Sequence, residues 1–156
     1  MVALFQPSVQ PHWGSLSFVS TLYLCPVLDR LMDKVPQKWQ AEIRLGLQEA
    51  LVNAVKHGNH LDPRKVISVR YKTSGSQYWW IIEDQGGGFD FEHCRCDTTE
   101  AIDEATVDEA TVVVDDCGRG LYILNQIFDE VQWSQGGREL HLCKRIHRWF
   151  GLPLVC

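Results

Sequence analysis

The chain has 156 residues, 45% of them hydrophobic and 22% charged, which is enough for one domain with a real core and too few for two. Its formal net charge of -5 excludes a broad phosphate-backbone footprint, because duplex binding draws on a clustered positive surface, so no nucleic-acid partner is expected. The longest apolar stretch, Leu16 to Leu28, is broken by Ser17, Ser20, Thr21 and Pro26 with no basic segment ahead of it; it fits neither a signal peptide nor a membrane span, and a cytoplasmic protein with no membrane partner is expected.

Ser15 to Cys25 mixes β-branched and aromatic residues and predicts a strand, after which Pro26 suits the first turn of a helix running to about Val35. Pro36 marks a break. From Gln37 to about Asn59 the apolar residues Trp39, Ile43, Leu47, Leu51, Ala54 and Val55 recur at helical spacing, and Gly58-Asn59 signals the end of this long helix. Asp62-Pro63 opens a connection. Val66 to Lys72 alternates as a strand, Ser74-Gly75-Ser76 is a turn, and Tyr78 to Glu83 is a second apolar strand that feeds Asp84.

Residues 92–117 carry little periodicity and much acidity, including Asp103, Glu104, Asp108, Glu109, Asp115 and Asp116, with Asp103–Val107 repeated as Asp108–Val112. A segment of this length between two glycine-rich motifs reads as a lid. Within it, His93-Cys94-Arg95-Cys96 matches no tetrahedral zinc spacing, and no second cysteine pair is placed to complete one. The six cysteines are scattered and are expected as thiols. After Gly120, residues Leu121, Ile123, Leu124, Ile127 and Phe128 predict an amphipathic helix, and Val131 to Ser134 and Glu139 to Ile146 a hairpin around Gly136-Gly137. The apolar tail, Trp149 to Cys156, is too short to span a bilayer, and packing on its own domain is expected.

On a helix, Glu49, Asn53 and His57 fall at four-residue intervals and form one stripe ending in Gly58. Asn53 offers a neutral hard oxygen suited to Mg²⁺, and Glu49, one turn earlier, would sit near a γ-phosphate as general base. Asp84, at the end of an apolar strand, can present a carboxylate that accepts a hydrogen bond from an exocyclic amine such as adenine's, with Gly86 and Gly88 letting the backbone approach the base or ribose. Gly118 and Gly120 before a helix would hinge the lid and leave the helix N-terminus facing phosphate oxygens. Alone, each motif also reads as a solvated helix face or an ordinary turn; the ordered set points to an ATP site.

Glu49-x-x-x-Asn53-Ala-x-x-His57-Gly58, Asp84-x-Gly86-x-Gly88-Phe89 and Gly118-Arg119-Gly120-Leu121 resemble the three nucleotide-binding boxes of the GHKL superfamily of ATP-binding domains. The likeness runs over residues 16–146, and the Asn-Ala-x-x-His-Gly form of the first box is similar to that of the bacterial anti-sigma-factor serine/threonine-protein kinases. The resemblance implies a Bergerat-type α/β two-layer sandwich: a mixed, mostly antiparallel sheet covered on one face by helices, with an ATP lid. It implies Glu49 as base and Asn53 as Mg²⁺ ligand. His57, Gly58, Asp84, Gly86, Gly88, Phe89, Gly118, Arg119, Gly120 and Leu121 would bind ATP, and Arg30 would face a partner. The implied activity is phosphorylation of a small anti-sigma-factor antagonist and sequestration of a sigma factor by a homodimer. The alternative is a nucleotide-gated binding module that transfers no phosphate. The terminal hairpin carries Gly136-Gly137-Arg138 where the family tends to have Gly-Thr.

Overall fold

The structure, a computed structural model, describes residues 13–88 and 116–146. In chain order these form strand β1 (Gly14–Val19), helices α1 (Cys25–Met32) and α2 (Gln37–Asn53), a π-helical turn (Ala54–Gly58), and strands β2 (Val66–Ser74) and β3 (Gln77–Glu83). Helix α3 (Asp116–Ile127) and strands β4 (Glu130–Ser134) and β5 (Glu139–Arg145) follow. Phe89, the lid as far as residue 115, and the tail from residue 147 lie outside the described residues.

The strands form one sheet in the order β1-β2-β3-β5-β4, and every pairing among the described strands is antiparallel. Side chains alternate between the two faces of a strand, so the register stacks apolar rows on the helix-covered side: Val69, Ile82 and Leu140 in one, Trp80 and Leu142 in the next. Onto these rows pack Leu28, Leu31 and Met32 of α1, Ile43, Leu47 and Leu51 of α2, and Leu124 and Ile127 of α3, all buried. This is the expected two-layer α/β architecture. Fully burying each Leu or Ile contributes roughly 1.5–3 kcal/mol, so these side chains tether the helical layer to the sheet. No helix among the described residues is long and apolar enough to cross a membrane.

Helix α2 meets α3 where a side chain is missing. A Cβ at Gly46 would lie 2.5 Å from the Phe128 ring, which itself stands edge-on to Trp80 with centroids 5.9 Å apart. Lys144 occupies an inward position on β5 that alternation would give to an apolar residue. Its ammonium donates to Ile127 O at 2.5 Å and to Glu42 Oε1 at 2.8 Å and lies 5.0 Å from the Trp39 ring centre. It thereby places a cation at the C-terminus of α3, where free carbonyls favour one.

Several boundaries differ from the sequence expectation, three of them instructively. Strand β1 stops at Val19 rather than reaching Cys25, because its partner β2 begins opposite, at Val66; after the Ser20 N–H bond to Lys65 O the pairing is exhausted. Helix α1 ends at Met32, with the Val35 N–H returning to Met32 O just before Pro36. Helix α3 starts at Asp116, so Gly118 and Gly120 lie within the helix and not ahead of it.

Candidate functional site

Between the C-terminal end of α2, the end of β3, α3 and the β4–β5 hairpin lies a pocket with about 550 Å³ of empty space, part of it open to solvent. Ala50, Asn53, Ala54, His57 and Gly58 form one wall, Ile82, Asp84 and Gly88 the floor and one end, Leu121 the α3 side, and Trp133, Gly137 and Leu140 the hairpin side. Three motifs far apart in sequence therefore meet around one cavity.

The widened turn after α2 makes the meeting possible. Here the Asn59 N–H reaches back five residues to Ala54 O at 2.8 Å, instead of the four of an α-helix. The turn delivers Gly58 against Asp84 so closely that a Cβ on Gly58 would lie 2.3 Å from the Asp84 carboxyl carbon, and one on Gly86 would lie 2.0 Å from Gly58 O. No side chain fits between them. His60 and Leu61 then take φ of 55 and 58 degrees and reverse the chain.

Asp84 is 7% exposed. Its N–H donates to Arg138 O at 3.1 Å, and its Oδ1 accepts from the Gly86 N–H at 2.8 Å. Burial pushes the Asp84 carboxyl above the ordinary carboxylate range, against the opposing pull of the Gly86 N–H and of the charges on Lys65 and Arg138. Because only one internal donor engages this buried carboxyl among the described residues, it retains acceptor capacity toward the cavity.

Asn59, wholly buried, fixes the two motifs to each other. Its Oδ1 accepts from the Gln85 N–H at 2.8 Å and its amide donates to Val66 O at 3.3 Å, while the Gln85 side chain accepts from the Val66 N–H at 2.8 Å. One carboxamide thus ties the end of the helical run to the loop after β3 and to the start of β2.

Asn53 is half-buried, and its carboxamide has no hydrogen-bond partner among the described residues; Gly120 of α3 passes so close that a Cβ there would lie 3.1 Å from the Asn53 amide nitrogen. Its oxygen is thus available to a ligand. No group of three or more His, Cys, Asp or Glu side chains among the described residues could cage a metal. The donor set fits Mg²⁺, which keeps most of its coordination sphere as water and substrate phosphate, better than it fits a cation needing an all-protein cage.

The placement of the candidate residues is uneven. Asn53, His57, Gly58, Asp84, Gly88 and Leu121 line the pocket, Gly86 supports Asp84 beneath it, and Gly120 packs on Asn53. Glu49 is half-buried one turn from Asn53 but does not line the cavity, Arg119 is exposed, Gly118 sits in the first turns of α3, and Phe89 is outside the described residues. Arg30 is on the exposed face of α1 with Asp33 Oδ2 at 4.0 Å. Sequence reasoning passed over Asn59, Gln85, Ile82, Trp133, Gly137 and Leu140. The apolar ones carry the same alternation as ordinary core strands, and Asn59 reads simply as the residue that ends a helix.

The chain matches the family profile described as "histidine kinase-like ATPase domain" over residues 26–144. It is 30% identical over 91 residues to the serine-protein kinase RsbW of Bacillus velezensis, covering 58% of this chain and 54% of that protein. Over the same length and with the same coverage it is 29% identical to the protein of that name from Bacillus subtilis and 30% to that from Bacillus licheniformis. The chain spans about half the length of these curated relatives.

Proposed function

The chain belongs to the histidine kinase-like ATPase family, and on that premise we propose that it is an ATP-dependent protein serine/threonine kinase of the anti-sigma-factor kind. In this reading it phosphorylates a small antagonist protein and sequesters a sigma factor, acting as a cytoplasmic homodimer. The observation that carries the reading is the convergence of Asn53, His57 and Gly58 with Asp84 and Gly88 and with Leu121 around one cavity. The relatives named serine-protein kinase support the choice of acceptor chemistry.

In this proposal Asp84 accepts a hydrogen bond from the adenine amine, its carboxylate held by the Gly86 N–H and enclosed by Gly58. Ile82, Leu140 and Trp133 give the base an apolar bed. Asn53 directs its free amide oxygen to the metal, which when bound neutralises charge on the phosphates. Glu49, with no ion pair or hydrogen bond among the described residues, takes the proton from the attacking hydroxyl as general base. Gly118, Arg119 and Gly120 bring the N-terminal turns of α3 to the phosphates, and Phe89 belongs to the same nucleotide-binding set.

Incubation with γ-labelled ATP, Mg²⁺ and candidate antagonist proteins tests the proposal. Acid-stable label on a partner, lost in Glu49→Ala, is the expected result; tight ATP binding with no transfer to any candidate overturns the kinase assignment. The second outcome would favour a nucleotide-gated binding module, a reading to which the position of Glu49 outside the pocket lining lends some support.

A further inference from the structure

On the sheet face turned away from the helices, four side chains converge on one buried carboxylate. Glu139, 6% exposed, accepts from Ser134 Oγ at 2.9 Å through Oε1, from Gln135 Nε2 at 3.2 Å and Arg70 Nη2 at 2.8 Å through Oε2, and its Oε1 lies 2.7 Å from His141 Nε2. Burial alone would raise its pKa, but the hydrogen bonds from Ser134 and His141 and the charges of His141 and Arg70 outweigh it and hold Glu139 below the ordinary range. It is a carboxylate anion that no step of the proposed phosphoryl transfer uses.

What this anion grips is the turn between β4 and β5. Gln135, Gly136 and Gly137 have φ of 53, 65 and 86 degrees, three left-handed residues in succession, and the first has a side chain. Such a conformation is strained at a non-glycine residue and persists where surrounding contacts over-determine it. Two of the four groups on Glu139 come from this segment, Ser134 and Gln135, and the Arg138 Nε donates to Gln135 O at 3.2 Å across the turn.

The other side of the same turn belongs to the pocket. Gly137 and Leu140 line the cavity, Arg138 O receives the Asp84 N–H at 3.1 Å, and Gly136 O lies so near Gly88 that a Cβ there would be 2.1 Å away. Adjacent strand residues face opposite sides of a sheet. Glu139 and Leu140 therefore act from the two faces of β5 on one turn, Glu139 holding it from outside while Leu140 and Gly137 form the cavity wall.

We propose that Glu139 is a positioning residue of the nucleotide pocket: with Arg70 and His141 behind it, it locks Ser134 and Gln135 so that the left-handed turn holds Gly88 and the Asp84 backbone in their binding geometry. The assignment rests on the reading of the cavity as an ATP site. A purely structural cluster would lower thermal stability and leave the folded pocket unchanged, whereas a positioning role changes the pocket in molecules that remain folded.

The test compares the wild-type chain with Glu139→Gln, which keeps the size and one acceptor but replaces the other oxygen with an NH2 and removes the negative charge that Arg70 and His141 face. Should that variant fail to fold, Gln135→Ala, which removes one tether on an exposed residue, carries the test. ATP affinity is titrated well below the melting temperature of each protein, and backbone amide spectra are recorded without nucleotide. Loss of one charge-assisted hydrogen bond predicts a dissociation constant raised roughly tenfold. Displaced Gly88 and Gly137 signals with unmoved Leu47 and Leu51 signals, and a raised KM for ATP at unchanged kcat, are expected with it. Unchanged affinity and unchanged glycine signals in folded variants overturn the proposal. If the wild type itself binds no ATP, the nucleotide reading fails, and the Gly88 and Gly137 signals still decide whether Glu139 holds the turn.

Discussion

Gly46 and Gly58 stand in one continuous helical run, and at both a Cβ would intrude on a neighbour, yet the neighbours are opposite in kind. At Gly46 the missing side chain admits an aromatic edge, the Phe128 ring at 2.5 Å from the position a Cβ would take. At Gly58 it admits a buried carboxyl group, Asp84, at 2.3 Å. The first contact belongs to the core, where volume is what matters and neighbours can shift at a cost of about 1–3 kcal/mol. The second belongs to the pocket, where a carboxylate must point in one direction and displacement removes its use. The same helical run thus serves the core at its middle and the pocket at its end, and the difference between the two places is a difference in what a small misplacement costs.

The comparison is broken or sharpened most strongly by Gly58→Ala. Forcing Asp84 away should weaken ATP binding roughly 100-fold, as a displacement worth about 3 kcal/mol implies, and a calorimetric titration with a non-hydrolysable analogue reads it. Wild-type affinity would mean that the pocket does not depend on this approach.

Asp84→Asn should give the next largest loss of affinity while moving stability the other way. A carboxyl whose folded pKa is raised takes up a proton more readily in the native state, so its contribution to stability is present below the unfolded carboxylate pKa and is lost as pH rises through the elevated folded value. The variant is therefore expected to melt at or above the wild-type temperature near neutral pH, with the two converging as pH falls, which thermal melts recorded from neutral into the acid range check. A variant that is less stable at neutral pH and no closer at low pH would show that Asp84 holds the fold together.

Gly46→Ala should have the smallest effect on the site. It should lower stability by ~1–3 kcal/mol, a melting-temperature drop of several degrees for a chain of this size, with ATP affinity unchanged in the folded fraction. Loss of affinity in parallel with stability would erase the distinction between the two glycines.

Much of the scaffold was legible because apolar periodicity reports burial directly. The stripe Ile43, Leu47 and Leu51 and the alternation Ile67, Val69 name the inward faces without knowledge of their partners. Boundaries set by another element were not legible. Where β1 ends depends on where β2 begins, and Gly118 and Gly120 look like helix breakers although α3 runs through them and Gly120 packs on Asn53. The candidate residues with distinctive chemistry, Asn53, His57 and Asp84, stood out by spacing. Asn59 did not, because its importance lies in hydrogen bonds to Ala54, Asp62, Val66 and Gln85 that only the folded chain assembles. The π-helical turn was hidden for a similar reason: Ala54 and Val55 continue the apolar pattern of α2 and are both buried, so nothing in the pattern announces that the hydrogen bonding has widened.

That widened turn constrains how the gene can vary. A π turn is an α-helix carrying one extra residue, so deleting a single codon between Ala54 and Gly58 would let the segment relax to ordinary helix at little cost to the core behind it. The residues after the deletion would keep their place, but the bulge that presses Gly58 against Asp84 would be gone. Substitutions here can be graded by size and charge, but loss of one residue leaves a foldable helix without the bulge that reaches Asp84, and the spacing from Asn53 to Asn59 is expected to admit no insertions or deletions among functional relatives.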